Sequence, residues 1–85
     1  MQTIIREMRG IPFFLLKEYL IEMGGEAVGE NQIQGQGWTV EMSKMEPFRL
    51  GSLSIGQTLL EIQIEDDKVD DFLKVFGKKT LRAGG

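Results

Sequence analysis

The sequence predicts an α+β fold, with an antiparallel sheet and two helices packed on one face. Three observations carry that expectation. Apolar residues recur at helical spacing in two separate windows, near residues 13–23 and 69–76. Between them lie short windows that alternate apolar and polar residues, the pattern of half-buried strands. Glycine and proline punctuate the joins.

The elements follow in order. Gln2 to Met8 (QTIIREM) is β-favouring at Thr3, Ile4 and Ile5, and Gly10 ends it. Pro12 suits the first turn of a helix. Phe13, Leu16, Leu20 and Met23 then keep helical spacing, with Lys17, Glu18 and Glu22 as the solvent stripe. Gly24-Gly25 supplies the stop. Ala27-Val28 and Gln32-Ile33 read as two short strands turning at Glu30-Asn31, and Gly35 and Gly37 as a second turn. Trp38 to Met42 alternates. Pro47 marks an edge, bulge or bend. Phe48 to Ile55 alternates in part, with Gly51 expected as a bulge. Thr58 to Ile64 (TLLEIQI) is the clearest strand, with Leu60, Ile62 and Ile64 on one face. In the last helix, Asp66 or Asp67 is expected as the cap and Val69, Phe72, Leu73 and Phe76 as the buried stripe. Gly77 is expected to close it. Trp38, Leu60, Ile62 and Ile64 should meet Phe13, Leu16, Leu20, Phe72, Leu73 and Phe76 in one core.

The chain has 85 residues, room for one domain spanning 1–85, with 80–85 open to forming a flexible tail. A net charge of -3 argues against nucleic acid as a partner, which calls for a basic face. No apolar run approaches the roughly 20 residues of a membrane span, and no secretory leader pattern opens the chain. A cytoplasmic location is expected. Neither cysteine nor histidine occurs. Disulfides, thiolate sites and the zinc sites built on those residues are excluded, and so is the usual general base near neutral pH. We therefore expect no enzyme, no catalytic residue, no metal and no cofactor.

Several features carry weaker signals. Asp66/Asp70 and Asp67/Asp71 are carboxylate pairs four residues apart that could flank a divalent cation, although helix starts attract acids by capping and dipole alone. Glu41, Glu46 and Glu61 lie on or beside strands and read as solvent-facing. Lys78, Lys79 and Arg82 form a small basic cluster able to guide an acidic partner, or simply to complement a helix C-terminus. Phe14 and Ile21 flank the solvent stripe of the first helix and are candidate contacts for a partner or a homodimer. The sequence closes on Gly84-Gly85, sterically open and suited to threading a narrow channel, as a carrier terminus requires.

Two segments carry a family resemblance. Ile11 to Gly25 (IPFFLLKEYLIEMGG) and Met45 to Ile55 (MEPFRLGSLSI) resemble the C-terminal domain of MoaD-related proteins. In those proteins a ubiquitin-like, molybdopterin-type sulfur-carrier domain precedes this second domain, and the likeness runs over nearly the whole chain. The resemblance implies a TBP-like fold of order β-α-β4-α. It implies no catalytic residues. A β-grasp carrier would begin with a hairpin, whereas this chain begins strand-helix.

The expected role is a non-enzymatic accessory or interaction domain. Its implied setting is molybdenum or tungsten cofactor biosynthesis, with a sulfur-carrier or cofactor-biosynthesis protein as partner. The alternatives are a carrier acting through Gly84-Gly85, and a small-molecule-binding domain using a concave sheet face.

Overall fold

The computed structural model describes residues 1–84, with side chains through Leu81. Strand β1 (Gln2–Arg9) leads into helix α1 (Phe13–Glu22). Strands β2 (Glu26–Ala27), β3 (Gln32–Gly35), β4 (Trp38–Leu50) and β5 (Leu53–Ile64) follow. A 3-10 turn at Asp66–Lys68 runs into helix α2 (Val69–Gly84). The expected β-α-β4-α order is therefore observed. The five strands form one sheet in the order β1-β5-β4-β3-β2, and every neighbouring pair is antiparallel.

Strand alternation decides which face is covered. Val40, Leu60, Ile62 and Ile64 are fully buried, and Trp38 and Met42 nearly so. Ile33 joins them from β3, while Ile4 and Met8 pack against the cluster from β1. The residues between these point to the opposite, open face. Leu16 and Leu20 of α1 and Phe72 and Phe76 of α2 close the covered face, with Phe13 and Leu73 partly buried beside them. The core expected from periodicity thus forms as one cluster. Trp38 meets Phe72 edge-on at 5.1 Å between ring centroids, and Phe72 stacks on Phe76 at 5.8 Å.

Helix α1 ends as its sequence dictates. Gly24 takes φ +97°, a conformation that side chains disfavour. Its N–H donates to the Ile21 carbonyl, and that of Gly25 to the Leu20 carbonyl, both at 3.0 Å. This pair of bonds is the Schellman stop.

Helix α2 departs from expectation at both ends. Asp66 and Asp67 lie in the 3-10 turn, whose N-cap is Glu65 with no side-chain capping bond. Gly77 does not close the helix, because it lacks the positive φ that such a stop uses. The inward stripe continues past it. Lys79 Nζ pairs with Glu22 Oε2 of α1 at 3.1 Å, and the Thr80 hydroxyl donates to the Phe76 carbonyl at 2.9 Å. Those ties hold the last turns in place.

Candidate interaction surface

The feature that most departs from a plain sheet-and-helix layer is the β4–β5 hairpin. Sequence reading expects Gly51 as a bulge inside one strand. Instead Gly51-Ser52 is the two-residue turn between Leu50 and Leu53. Gly51 has φ +61° and no non-glycine residue has positive φ, which is the type II′ hairpin pattern. The dipeptide Gly-Ser between two leucines is the signal that could have revealed it.

The hairpin outgrows its neighbours. β3 pairs with β4 only as far as Glu41, and β1 with β5 only as far as Gln57. Residues 46–56 therefore form a two-stranded arm, and the molecule is elongated, at 42 × 25 × 21 Å. The register shifts between Met45/Gln57 and Phe48/Ile55, where Glu46 and Pro47 on β4 face only Gly56 on β5. This bulge, one of the outcomes expected of Pro47, re-aims the strand. It brings Phe48 and Leu50 onto the same face as Met45, opposite Ile55 and Leu53 on β5. That face is continuous with the open face of the sheet.

A short network fixes the base of the arm. Arg9 Nε donates to Gln57 Oε1 at 2.8 Å, and Gln57 Nε2 donates to the Glu46 carbonyl at 3.0 Å. The Arg9 guanidinium also lies 4.2 Å from the centre of the Phe48 ring. On the other face, Lys44 Nζ lies 5.6 Å from the centre of the Phe13 ring. The arm's tip is left bare: Leu50 is 65% exposed and Leu53 57%. A cleft of 360 Å³ separates the arm from the start of α1, between Gly10–Pro12 and Ser54–Gly56. Phe14, 68% exposed, stands on the first turn of α1 just beyond it. The arrangement offers apolar side chains with Arg9 beside them at the base of the arm, a surface able to seat an apolar patch bordered by an acid.

The other candidate residues fall elsewhere. Ile21 is exposed on α1, seven residues and two turns from Phe14 on the same side. Lys78 is exposed on α2, whereas Lys79 is engaged with Glu22. The backbone of Arg82 and Gly84 lies in α2, and Gly85 lies outside the described residues. The four aspartates assemble no ligand set: among the described residues no three acidic side chains converge as a metal group, and Asp66 instead lies 3.3 Å from the Met1 amino group.

Two further concavities are modest. Glu41 and Glu61 are direct cross-strand partners on the open face, in a 50 Å³ hollow with Gln32, Thr39 and Gln63, while Glu46 sits apart in the bulge. A depression of 260 Å³ opens over Trp38 and Phe72, with Lys68 and Asp71 at its lining.

Comparison with known proteins adds one finding. No curated protein matches the chain. The family model described as archaeal MoaD-like protein matches residues 4–85, from within β1 through α2. That match takes in both segments on which the resemblance was read, so the chain belongs to the archaeal MoaD-like protein family.

Proposed function

We propose that this protein is a non-enzymatic interaction module in molybdopterin sulfur-carrier biosynthesis, and that it engages a protein partner through the β4–β5 arm. Membership of the archaeal MoaD-like family links the chain to that biosynthesis. The arm is the observation that carries the interaction role. A small domain that leaves Leu50 and Leu53 bare on a projecting hairpin, with Phe48 and Ile55 behind them, presents the kind of apolar patch that marks a protein contact. The Arg9–Gln57–Glu46 network holds the patch in shape before binding, which reduces the ordering cost of association.

Two observations favour a module over a carrier. Residues Thr80–Gly84 lie within α2, wound at about 1.5 Å per residue instead of about 3.3 Å extended. A carrier terminus has to be extended to thread an activating enzyme. The pairing of β1 with β5 instead of β2, in a wholly antiparallel sheet, also differs from a carrier fold built on a hairpin of its first two strands.

The test is binding of the purified chain to the host's molybdopterin sulfur-carrier protein and its activating enzyme, by titration calorimetry. Association with one of them is expected. A Leu50→Ser/Leu53→Ser variant should abolish it while the far-ultraviolet spectrum stays unchanged. No binding to either protein would overturn the reading. So would a thiocarboxylate mass on this chain after incubation with ATP, sulfide and the activating enzyme.

A further inference from the structure

The sheet leaves strand edges bare at β1, at β2 and along both sides of the arm, where the β5 side adds only a few residues past Gln57, and they differ in how well they are protected. β2 is only two residues long. The outer edge of the β4 arm carries a bulge and Pro47. Short strands, bulges and prolines are devices that stop an edge from pairing with another chain. β1 has none of them. It is the terminal strand of the sheet, eight residues long, and pairs with β5 without a bulge from Gln2↔Ile64 to Arg9↔Gln57. It contains no Pro, Gly or Lys. Every second residue of such an edge strand turns its N–H and C=O away from the sheet, free to pair.

We infer that β1 is the seat of a homodimer, in which two copies pair their β1 strands antiparallel about a two-fold axis and join their sheets into one. The side chains fix the register. Keeping the helices of both copies on one side of the joined sheet requires the axis to pass through a residue that faces itself. Centring on Arg6 or Glu7 would set like charges directly opposite one another, which is unfavourable. Centring on Ile5 sets Ile5 against Ile5 of the second copy and Thr3 against Glu7, and pairs the strand from Gln2 to Met8. Ile5 is 55% exposed on the open face, an apolar residue in mid-strand whose cross-strand neighbour in its own chain is the carboxylate side chain of Glu61 and whose other side is bare.

Helix α2 agrees with this geometry. It runs beside β1 in the same direction. The Met1 amino group meets Asp66 at one end, and toward the other end Arg6 and Met8 share a small cleft with Leu73, Phe76, Gly77 and Thr80. The two-fold axis then lays the two α2 helices antiparallel along the junction. The start of α2 and its preceding turn carry Asp66, Asp67 and Asp70, with Lys74 and Lys78 beyond them, while Asp71 turns away into the depression over Trp38. An antiparallel pair therefore sets acids against bases at both ends. Among the described residues Arg6 and Asp70 form no ion pair within the chain, and both remain available. Gly77 sits on the β1 side of the helix, where a Cβ would meet nothing within 4 Å, so the helix surface is open for close approach.

The experiment is light scattering on the full chain from low to about 500 μM, a range that spans weak to moderate dimer affinities. The native protein should reach twice 9.6 kDa. Ile5→Lys and Ile5→Glu should each be monomeric, a loss of at least about tenfold in affinity, because each sets a like-charged pair at the axis. Ile5 faces solvent, so both variants should keep the native spectrum and melting cooperativity, with Ile5→Glu melting below Ile5→Lys because Glu61 stands directly opposite on β5. Mixing the two variants should restore a heterodimer, since only a self-opposed residue becomes a Lys–Glu pair on mixing. A native protein that stays monomeric at the highest concentration overturns the inference. Dimers that survive Ile5→Lys place the contact elsewhere and overturn it too. Monomeric variants that do not recombine overturn the register.

Discussion

Trp38 occupies the space that side chains at Gly25 and Gly35 would need. A Cβ on Gly25 would stand 2.6 Å from the Trp38 ring and 2.6 Å from Ile33, and one on Gly35 would press deeper into the same indole. The ring cannot retreat, because Phe72 meets it from the helix side. Gly35→Ala should therefore cost about 1–3 kcal/mol through overpacking, read as a lower urea midpoint with an unchanged slope. Glu41 and Glu61 call for the opposite change. They are direct cross-strand neighbours with the same charge, and like charges in that position destabilise a sheet. Neither is tied to a cation among the described ion pairs. Glu41→Lys replaces repulsion with attraction and should stabilise the protein by about 0.2–1 kcal/mol. The gain should shrink at high salt, because the pair is open to solvent and screened. A loss of stability on that substitution would mean that the open face is not simply solvated.

Gly77 lies inside a helix of 16 residues without using its conformational freedom. Glycine there costs roughly 0.5–1 kcal/mol relative to alanine, and a Cβ at that position meets nothing. In dilute solution Gly77→Ala should raise the melting temperature by several degrees, given about 4–8 °C per kcal/mol for a domain of this size. An unchanged or lower melting temperature would place the helix end before Gly77, where the sequence alone puts it. That expectation rested on a local rule, glycine after an apolar stripe. What the rule misses is tertiary: Thr80 bonding back to Phe76, and Lys79 reaching Glu22 of a helix 57 residues away in sequence. The arm shows the same division. Phe48 to Ile55 alternates in part because both sides of a hairpin do, so periodicity alone does not reveal the turn at Gly51-Ser52. Only the pairing of Leu50 with Leu53 decides it. By contrast, the second half of β5, Thr58 to Ile64, and the stop of α1 were fully legible. Leu60, Ile62 and Ile64 alternate without interruption, and Gly24 supplies a conformation that few other residues tolerate. Of the candidate contacts, Phe14 and Ile21 are exposed as periodicity implied. Leu50 and Leu53 were not legible, because their exposure follows from the arm outrunning β1 and β3 and not from their own neighbours in sequence.

At the scale of the whole molecule, one cluster of buried residues joins both helices to β3, β4 and β5, and no second core exists among the described residues to hold part of the chain folded alone. Unfolding should be all-or-none, as for most domains of this length. Phe72 sits where the helices and the sheet meet. It is 5% exposed, touches Trp38 on β4 edge-on, and stacks on Phe76 within α2. Truncation removes a ring from that junction and leaves a cavity that Trp38, already confined by Gly35, cannot fill by moving. Phe72→Ala should therefore cost about 3–5 kcal/mol. Domains of this size commonly hold only about 5–15 kcal/mol in total, so the variant should be partly unfolded or melt far below the native protein. The loss should appear equally in helix signal and in Trp38 fluorescence, with coincident transitions. A loss below about 1 kcal/mol would show that α2 does not pack on the sheet through this residue. Separate transitions for helix and tryptophan would show that α2 and the sheet do not share one core, and with it would fall the placement of α2 beside β1 on which the two-fold pairing depends.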